Sequence, residues 1–265
     1  MKILVTGYSG FLGKFICDKF SKDHEIIKLN CRNINFKNKI EIENLLKNFL
    51  NIDVVINCAA SLKPQNSNDL FINEKFPKLI SDFLQKNNKE CIFFHISTIN
   101  VLIDLRKDSY TKSKKKAEES LIKSKTIIIR LPLIFKENNG EIENFGNLSF
   151  FFKYLNIILP IYPMIYPGHL YEPLSLDKFL IFLEKLIIVK KNDELIFNIS
   201  GDKKKSLWQL FEKIAIQKNK KIYKINVSRY IPTFLLNFFA KKNNFFQQFV
   251  NIDNSKFREK KYILK

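Results

Sequence analysis

Residues 2–13 read KILVTGYSGFLG, an apolar run followed at once by a glycine-rich stretch. The run Lys2–Thr6 is short and rich in β-branched residues, so it predicts a buried strand. Residues 14–20 then show the spacing of apolar side chains that is typical of a helix. Three of the seven glycines in the chain, at positions 7, 10 and 13, lie between these two elements.

Glycines are needed at a turn of this kind for three reasons. They allow a tight turn after the strand, close approach of the backbone to a pyrophosphate, and close packing of the helix on the sheet. The helix N-terminus then presents free N–H groups and a positive dipole end to phosphate. We therefore predict a dinucleotide site at Gly7, Tyr8, Ser9, Gly10, Phe11, Leu12 and Gly13. The spacing is GxxGxxG rather than GxGxxG, and incidental glycines are the alternative interpretation.

Strand and helix patterns alternate over the first part of the chain. Apolar runs predict further strands at Glu25–Leu29, 53–60 and 91–96, the last ending in Ser97 and Thr98. Amphipathic patterns predict helices at 40–50 and 69–85. Such alternation is typical of an α/β fold with a Rossmann-type, doubly wound parallel sheet.

Ligands bind such sheets beyond the carboxyl ends of the strands, where several small or basic residues fall. Small side chains at Ala59, Ala60 and Ser61 would let a cofactor lie against the backbone. Arg32 follows the second predicted strand, where NAD-binding folds carry an acid for the ribose hydroxyls, and it can face a 2′-phosphate. We therefore expect an NAD(P) cofactor, with NADP(H) preferred. A solvated loop Arg is the alternative.

Tyr110 and Lys114 are four residues apart on a predicted helix and therefore share one face. An ammonium beside a phenol stabilises the phenolate and lowers the phenol pKa from about 10, which makes a usable general acid or base. Ser97 and Thr98 end the preceding strand, and Thr98 could hydrogen-bond the reacting oxygen. An ordinary helix face is the alternative interpretation of the Tyr–Lys spacing.

These motifs together resemble the extended branch of the short-chain dehydrogenase/reductase superfamily, the NAD-dependent epimerase/dehydratase family. Residues 29–60 are similar to dTDP-4-dehydrorhamnose reductase-like sugar-nucleotide enzymes. The matching segments run through most of the chain: TGYSGFLG at 6–13, INCAA at 56–60, HIST at 95–98, YTKSK at 110–114, IIIRLPLIF at 127–135 and IFNISG at 196–201.

The resemblance implies hydride transfer to or from a carbonyl or hydroxyl carbon, on a substrate expected to be a nucleotide-activated sugar. It implies that Tyr110 transfers the proton and that Lys114 lowers the pKa of Tyr110 and holds the nicotinamide ribose. Thr98 or Ser97 would orient the substrate oxygen. The segment bordering the nicotinamide would be Leu131, Pro132 and Leu133. Reductase and epimerase chemistry use the same groups, and both stay open.

The chain also departs from the family pattern. Tyr110 follows Thr98 by twelve residues, about half the usual loop length. Ile99 and Asn100 follow Thr98, where dehydratases carry an acid pair and the reductases an Asp, so dehydration is disfavoured. The short loop supports a second interpretation, a non-catalytic dinucleotide-binding sensor or assembly protein. Tyr110 and Lys114 argue against it, because a pure binder needs no phenol acid.

The domain organisation follows from the same patterns. We expect residues 1–135 to form the NAD(P)-binding domain, with 170–200 returning to it. Residues 136–169, rich in Asn, Gly and Pro, and residues 201–265 would form a smaller C-terminal substrate-binding part or lid. Helices are predicted at Leu176–Val189 and 206–217.

The 265 residues carry a formal net charge of +19, and 40 of the 45 basic residues are Lys. Lys, Asn, Ile and Phe have AT-rich codons, so we attribute much of the charge to composition and expect no nucleic-acid partner. Residues 201–265 hold +12 of the total beside many Phe. This segment could be a solvated helical face, a weak membrane-surface contact or an attractor for an anionic substrate.

Composition excludes other classes of protein. At 46% hydrophobic residues the chain is not disordered, and no apolar run reaches the roughly 18 to 20 residues of a membrane span. The N-terminus breaks too early for a secretory signal. Four Cys without paired metal spacing predict no metal site and a reduced, cytoplasmic protein. The resemblance leaves a homodimer open.

Overall fold

The computed structural model describes residues 1–31, 34, 36, 38–103, 108–138, 141–144, 161–164, 170–189, 195–221, 223–226, 232, 235 and 261–264. The chain forms two compact units. The first comprises Met1–Val101, Asp108–Leu131 and Leu180–Asn198. The second comprises Leu102–Lys107, Pro132–Phe179 and Ile199–Lys265.

Strands and helices alternate in the first unit. Its strands are β1 Lys2–Thr6, β2 Glu25–Leu29, β3 Val54–Asn57, β4 Ile92–Thr98 and β5 Ile127–Leu131. Its helices are α1 Phe11–Phe20, α2 Lys39–Lys47, α3 Ser67–Glu74, α4 Phe76–Asn87 and α5 Ser109–Leu121. A 3-10 helix, Ile99–Leu102, directly follows β4.

The second unit contains short strands and one further helix in its described part. The strands are β6 Ile134–Asn138, β7 Glu141–Asn144, β8 Ile161–Met164, β9 Leu170–Tyr171, β10 Leu174–Ser175, β12 Lys205–Ser206, β13 Tyr223–Asn226 and β14 Lys261–Leu264. Ser206 caps helix α7, Leu207–Gln217, through a reciprocal capping box with Gln209. Helix α6, Leu176–Val189, and strand β11, Ile196–Gly201, cross the boundary between the units.

The main sheet has seven strands in the order β14-β11-β5-β4-β3-β1-β2. All neighbours from β11 to β2 pair in parallel. The order reverses between β1 and β3, and in doubly wound sheets a crevice opens at such a point beyond the carboxyl ends. The predicted α/β fold with a Rossmann-type parallel sheet is therefore confirmed.

Helix α4 shows how the core is built. Phe76, Ile80 and Leu84 recur every four residues and are all buried, so one stripe of the helix faces the sheet. They belong to one cluster with Leu4 of β1 and Val55 of β3. The residues of this cluster thus form an apolar layer between helix α4 and the sheet.

Several element bounds differ from the prediction. The single helix predicted at 69–85 is two helices, α3 and α4, because Pro77 has no N–H with which to continue the α3 hydrogen bonds. Helix α1 begins at Phe11, so Gly13 lies inside it rather than in a loop. The predictions of Lys2–Thr6, Glu25–Leu29 and Leu176–Val189 are confirmed. None of the described helices combines the length and apolar character that crossing a bilayer requires.

Candidate active site

The glycine stretch after β1 packs tightly against the end of β3. Gly7 adopts a left-handed φ of 67°, and a Cβ there would lie 2.6 Å from the Ala59 nitrogen. A Cβ on Gly13 would lie 2.3 Å from the Gly7 carbonyl oxygen. Only glycine fits at either place, because the obstructing atoms are backbone. Gly10 caps α1 in an extended conformation, and no acid lies in the first turn, so the helix N-terminus is compatible with an anion.

A buried row of polar side chains crosses the sheet beneath this loop. The Thr6 hydroxyl donates to Asn57 Oδ1 over 2.6 Å, and the Ala59 N–H approaches the same oxygen at 3.3 Å. The Asn57 amide nitrogen therefore faces His95 Nδ1, 3.1 Å away, and donates to it. This bond makes His95 neutral with its proton on Nε2. Burial, and secondarily the charge of Lys114, lower the His95 pKa well below its usual range, which agrees with a neutral ring.

Asn73 of α3 connects the loop after β3 to helix α5. Its Oδ1 accepts from the Ser61 N–H at 2.7 Å, and its amide donates to the Ser61 carbonyl at 2.8 Å and to Ser113 Oγ at 3.1 Å. Ser113 in turn donates to the Tyr110 carbonyl. Asn73 is fully buried, so a single side chain fixes both the β3 loop and the helix that carries Tyr110.

Helix α5 presents Tyr110 and Lys114 on one side. Asp108 caps the helix by accepting from the Thr111 N–H at 2.9 Å. Lys114 is 1% exposed and donates to the Ile96 carbonyl at 2.8 Å. Burial lowers its pKa to about 8, against smaller opposing effects of Cys58 and Glu118. The ammonium is thus anchored on β4, two residues before Thr98.

The expected lowering of the Tyr110 pKa is not found. Tyr110 is half-buried, and desolvation of its hydroxyl raises the pKa above the usual phenol value, with a further increase from the negative charge of Asp108. The Lys114 ammonium donates to the Ile96 carbonyl. The four-residue spacing was interpreted correctly as a shared helix face, but the orientation of the ammonium is determined by β4.

Ser97 and Thr98 have different partners. Ser97 donates its hydroxyl proton to Glu118 of α5. The Thr98 oxygen accepts from the Asn100 N–H at 3.3 Å, and this contact does not use the Thr98 hydroxyl proton. Thr98 lies opposite Leu131 in the β4–β5 register. Of the two hydroxyls, Thr98 is the one whose proton can be donated to a substrate oxygen.

A family model described as the RmlD substrate binding domain matches residues 1–148. The chain belongs to this family. No curated protein sequence matches the chain.

Solved structures resemble this RmlD-family chain over most of its length. A dTDP-4-dehydrorhamnose reductase from Clostridium acetobutylicum is 19% identical, with a TM-score of 0.68 over 87% of this chain and 86% of that one. A Bacillus anthracis dTDP-4-dehydrorhamnose reductase in complex with NADP is 15% identical, with a TM-score of 0.67 over 84% and 83%. A Bacillus cereus UDP-glucuronic acid 4-epimerase in complex with NAD is 15% identical, with a TM-score of 0.62 over 85% of each chain. The predicted resemblance is confirmed at the level of family and fold.

Most predicted site residues of the RmlD-family chain lie in its first unit. Gly7, Gly13 and Ala59 meet there directly, and Ser61 is joined to the Tyr110 helix through Asn73. Pro132 and Leu133 fall in the second unit, where the Leu133 carbonyl accepts from the Leu174 N–H. Arg32 lies outside the described residues. Among the described residues, no group of three His, Cys, Asp or Glu could hold a metal ion.

Sequence reasoning missed the roles of Asn57, Asn73 and Glu118 in this RmlD-family site. The pattern around Asn73 marks it only as a member of a helix, and its partners lie 12 and 40 residues away in the chain. One local signal was available, since a fully polar amide among Phe71, Ile72 and Phe76 has to be hydrogen-bonded if it is buried. Nothing local indicates what it bonds.

Proposed function

We propose that this protein is an NAD(P)-dependent oxidoreductase or epimerase that acts at a carbonyl or hydroxyl carbon of a nucleotide-activated sugar. One observation carries the proposal. The Tyr110–Lys114 helix is anchored by Lys114 on the strand that ends in Thr98, at the same sheet edge as the glycine stretch. The relatives described by name as sugar-nucleotide reductases and an epimerase support the substrate class.

The residues at the β1–β3 edge fit a dinucleotide. Gly7 and Gly13 leave a backbone cradle that a Cβ would fill, and the α1 N-terminus faces the same edge. Residues 7–13 would hold the pyrophosphate, and Ala59, Ala60 and Ser61 would border the cofactor. The bound nicotinamide would supply or accept the hydride.

Three side chains would take part in proton transfer at the substrate oxygen. Tyr110 is the acid or base for the substrate oxygen. Thr98, whose oxygen accepts from the Asn100 N–H, would donate its proton to the same substrate oxygen. Lys114, whose ammonium donates to the Ile96 carbonyl, would bind the nicotinamide ribose.

Preference for NADP(H) over NAD(H) is part of the proposal and rests on Arg32. One similar structure is described in complex with NADP and another with NAD, so either cofactor is compatible with the fold. Titration of the protein with NADPH and NADH measures the preference. We expect Arg32→Ala to weaken NADPH binding at least tenfold and to leave NADH binding within twofold. Equal effects on both would remove Arg32 from the 2′-phosphate site.

The rest of the chain would contribute the substrate site. We propose that residues 1–135 with 170–200 bind the dinucleotide, and that 136–169 and 201–265 form the substrate-binding part, with Pro132 and Leu133 at the nicotinamide. A cytoplasmic location, a homodimer and weak membrane-surface contact of the basic C-terminal segment stay predictions. Most of residues 227–260 lie outside the described part of the chain.

Turnover by purified protein tests the proposal, with NADPH and NADH each offered against a panel of nucleotide-linked keto-sugars. We expect Tyr110→Phe to lower kcat at least a hundredfold while the affinity for cofactor changes less than threefold, because the ring stays and only the proton is lost. Ser109→Ala is the control, since it removes an exposed hydroxyl from the neighbouring position of the same helix. A Tyr110→Phe variant with wild-type turnover would refute the mechanism.

A non-catalytic dinucleotide-binding protein is the second candidate, and two observations favour it. The Tyr110 pKa is raised rather than lowered, and three apolar side chains in the first part of the short connection after Thr98 are buried, Ile99, Val101 and Ile103. Tight cofactor binding without turnover on any keto-sugar of the panel would select this candidate. Turnover with any of them would exclude it.

A further inference from the structure

A buried ion pair joins the Tyr110 helix to the sheet. Arg130 of β5 donates from Nη2 to Glu118 Oε2 at 2.6 Å, and from Nε to Oε2 at 2.9 Å and to Oε1 at 3.2 Å. The Glu118 side chain is 4% exposed and that of Arg130 15%. Ser97 donates a further hydrogen bond to Glu118, and Arg130 Nη1 donates to Asn198 Oδ1 at 3.3 Å.

Each member of this network lies beside a residue of the candidate reaction centre. Glu118 is one helical turn beyond Lys114 on α5, and Ser97 is the neighbour of Thr98 on β4. Arg130 lies opposite both Ser97 and Asn198 in the strand registers. The network therefore ties three adjacent strands to the helix of Tyr110 and Lys114.

Stability alone does not account for an ion pair in this place. Removing two charges from water offsets most of their attraction, and apolar side chains of similar volume usually stabilise a fold as well. The planar guanidinium differs from an apolar contact in holding a carboxylate at a defined distance and angle. An apolar contact would keep the helix on the sheet but would let it slide by fractions of an ångström.

We propose that the Glu118–Arg130 pair is a positioning device, which sets the helix carrying Tyr110 and Lys114 at a defined distance from the strand carrying Thr98. Neither residue of the pair touches substrate; both act through the elements they join. The inference rests on the proposed function in one respect, that Tyr110 and Thr98 act on the same oxygen. Displacement of a catalytic group by about 1 Å can cost about a hundredfold in rate, so this geometry is worth fixing.

The test compares the double variant Glu118→Met/Arg130→Met with the wild type. Removing both charges together leaves no unpaired buried ion, so we expect the thermal midpoint to stay within a few degrees. We expect kcat to fall at least tenfold, and the KM for the cofactor and the KM for the keto-sugar each to change less than threefold. We also expect faster amide hydrogen exchange in Ser109–Leu121, which is measured without substrate. The matched control is Lys116→Met/Glu74→Gln, which removes an ion pair between α5 and α3 that is more exposed than the Glu118–Arg130 pair and should change none of these quantities.

Wild-type kcat and wild-type exchange in a folded double variant would overturn the proposal and leave the pair a structural contact. If the double variant does not fold, Arg130→Lys decides, because one ammonium keeps the charge but cannot reproduce the forked contact. We expect at least a threefold lower kcat in that variant, and an unchanged kcat would overturn the proposal. Absence of turnover in the wild type would refute the proposed function, whereas the exchange measurement would still show whether the pair orders the helix.

Discussion

Replacement of Asn73 by alanine tests whether the β3 loop and the Tyr110 helix depend on one side chain. The change removes three hydrogen bonds of 2.7, 2.8 and 3.1 Å, two to the backbone of Ser61 and one to Ser113. Each such bond contributes about 1 kcal/mol net, and a partner left without one inside the protein costs about as much again. Water can reach Ser61, which is half-buried, but not the buried Ser113, so we expect a loss of about 4 kcal/mol in the free energy of unfolding.

Urea denaturation followed by circular dichroism measures this loss, and titration with NADPH measures its effect on the site. We expect cofactor affinity to fall at least fivefold, since Ser61 follows the alanines that would border the cofactor. Asn87→Ala is the control, because the exposed Asn87 amide donates only to the Phe83 carbonyl among its described contacts, and surface changes of this kind stay within about 0.5 kcal/mol. An Asn73→Ala variant that loses less than about 1 kcal/mol, with an unchanged denaturant slope, would show that the loop is held by other contacts.

Two further predictions concern the cradle and the buried lysine. Gly13→Ala places a Cβ 2.3 Å from the Gly7 oxygen, so we expect the affinity for NADPH, measured by calorimetric titration, to fall at least tenfold. Gly10→Ala should lose much less affinity, because its Cβ has its nearest contact at 3.3 Å. Equal losses in the two variants would mean that the tight packing is not what shapes the cradle. The Lys114 pKa is about 8 in the folded protein, against an ordinary value of 10.5 that applies to the unfolded chain, so the unfolded chain binds the extra proton between these values. Lys114 therefore makes the free energy of unfolding rise with pH from about 8 to about 10.5. We expect the difference in unfolding free energy between wild type and Lys114→Met to change across this window by about 3 kcal/mol in favour of the wild type. A difference that does not depend on pH would contradict the lowered pKa.

The parts of the fold that the sequence predicted are those with local causes. A β-branched apolar run favours a strand at Lys2–Thr6 from its own composition, and the glycine at 13 is required by contacts within its own turn. The error over 69–85 was also local, since Pro77 forbids a continuous helix there and is visible in the sequence. The apolar periodicity predicted one continuous helix because Ile72, Phe76 and Ile80 keep a four-residue spacing across the boundary between α3 and α4.

Contacts across the sheet could not be predicted, because strand order determines them. Asn57 and His95 are 38 residues apart and meet only because β3 and β4 are neighbours in register. Glu118 and Arg130 are closer in the chain, yet an acid on a helix and an arginine on the next strand are common and seldom indicate a buried pair. Hydrogen bonds between side chains of different elements therefore carry most of what the structure adds to the site.

The Tyr110–Lys114 pair shows how a correct motif can lead to a wrong electrostatic conclusion. Spacing alone places the two side chains on one face, but the effect of an ammonium on a phenol depends on where the ammonium is held. Here the Ile96 carbonyl binds it, burial lowers the Lys114 pKa, and burial with Asp108 raises the Tyr110 pKa. A raised pKa makes Tyr110 a weaker proton donor and its phenolate a stronger base, so the shift alone selects neither the reductive nor the oxidative direction.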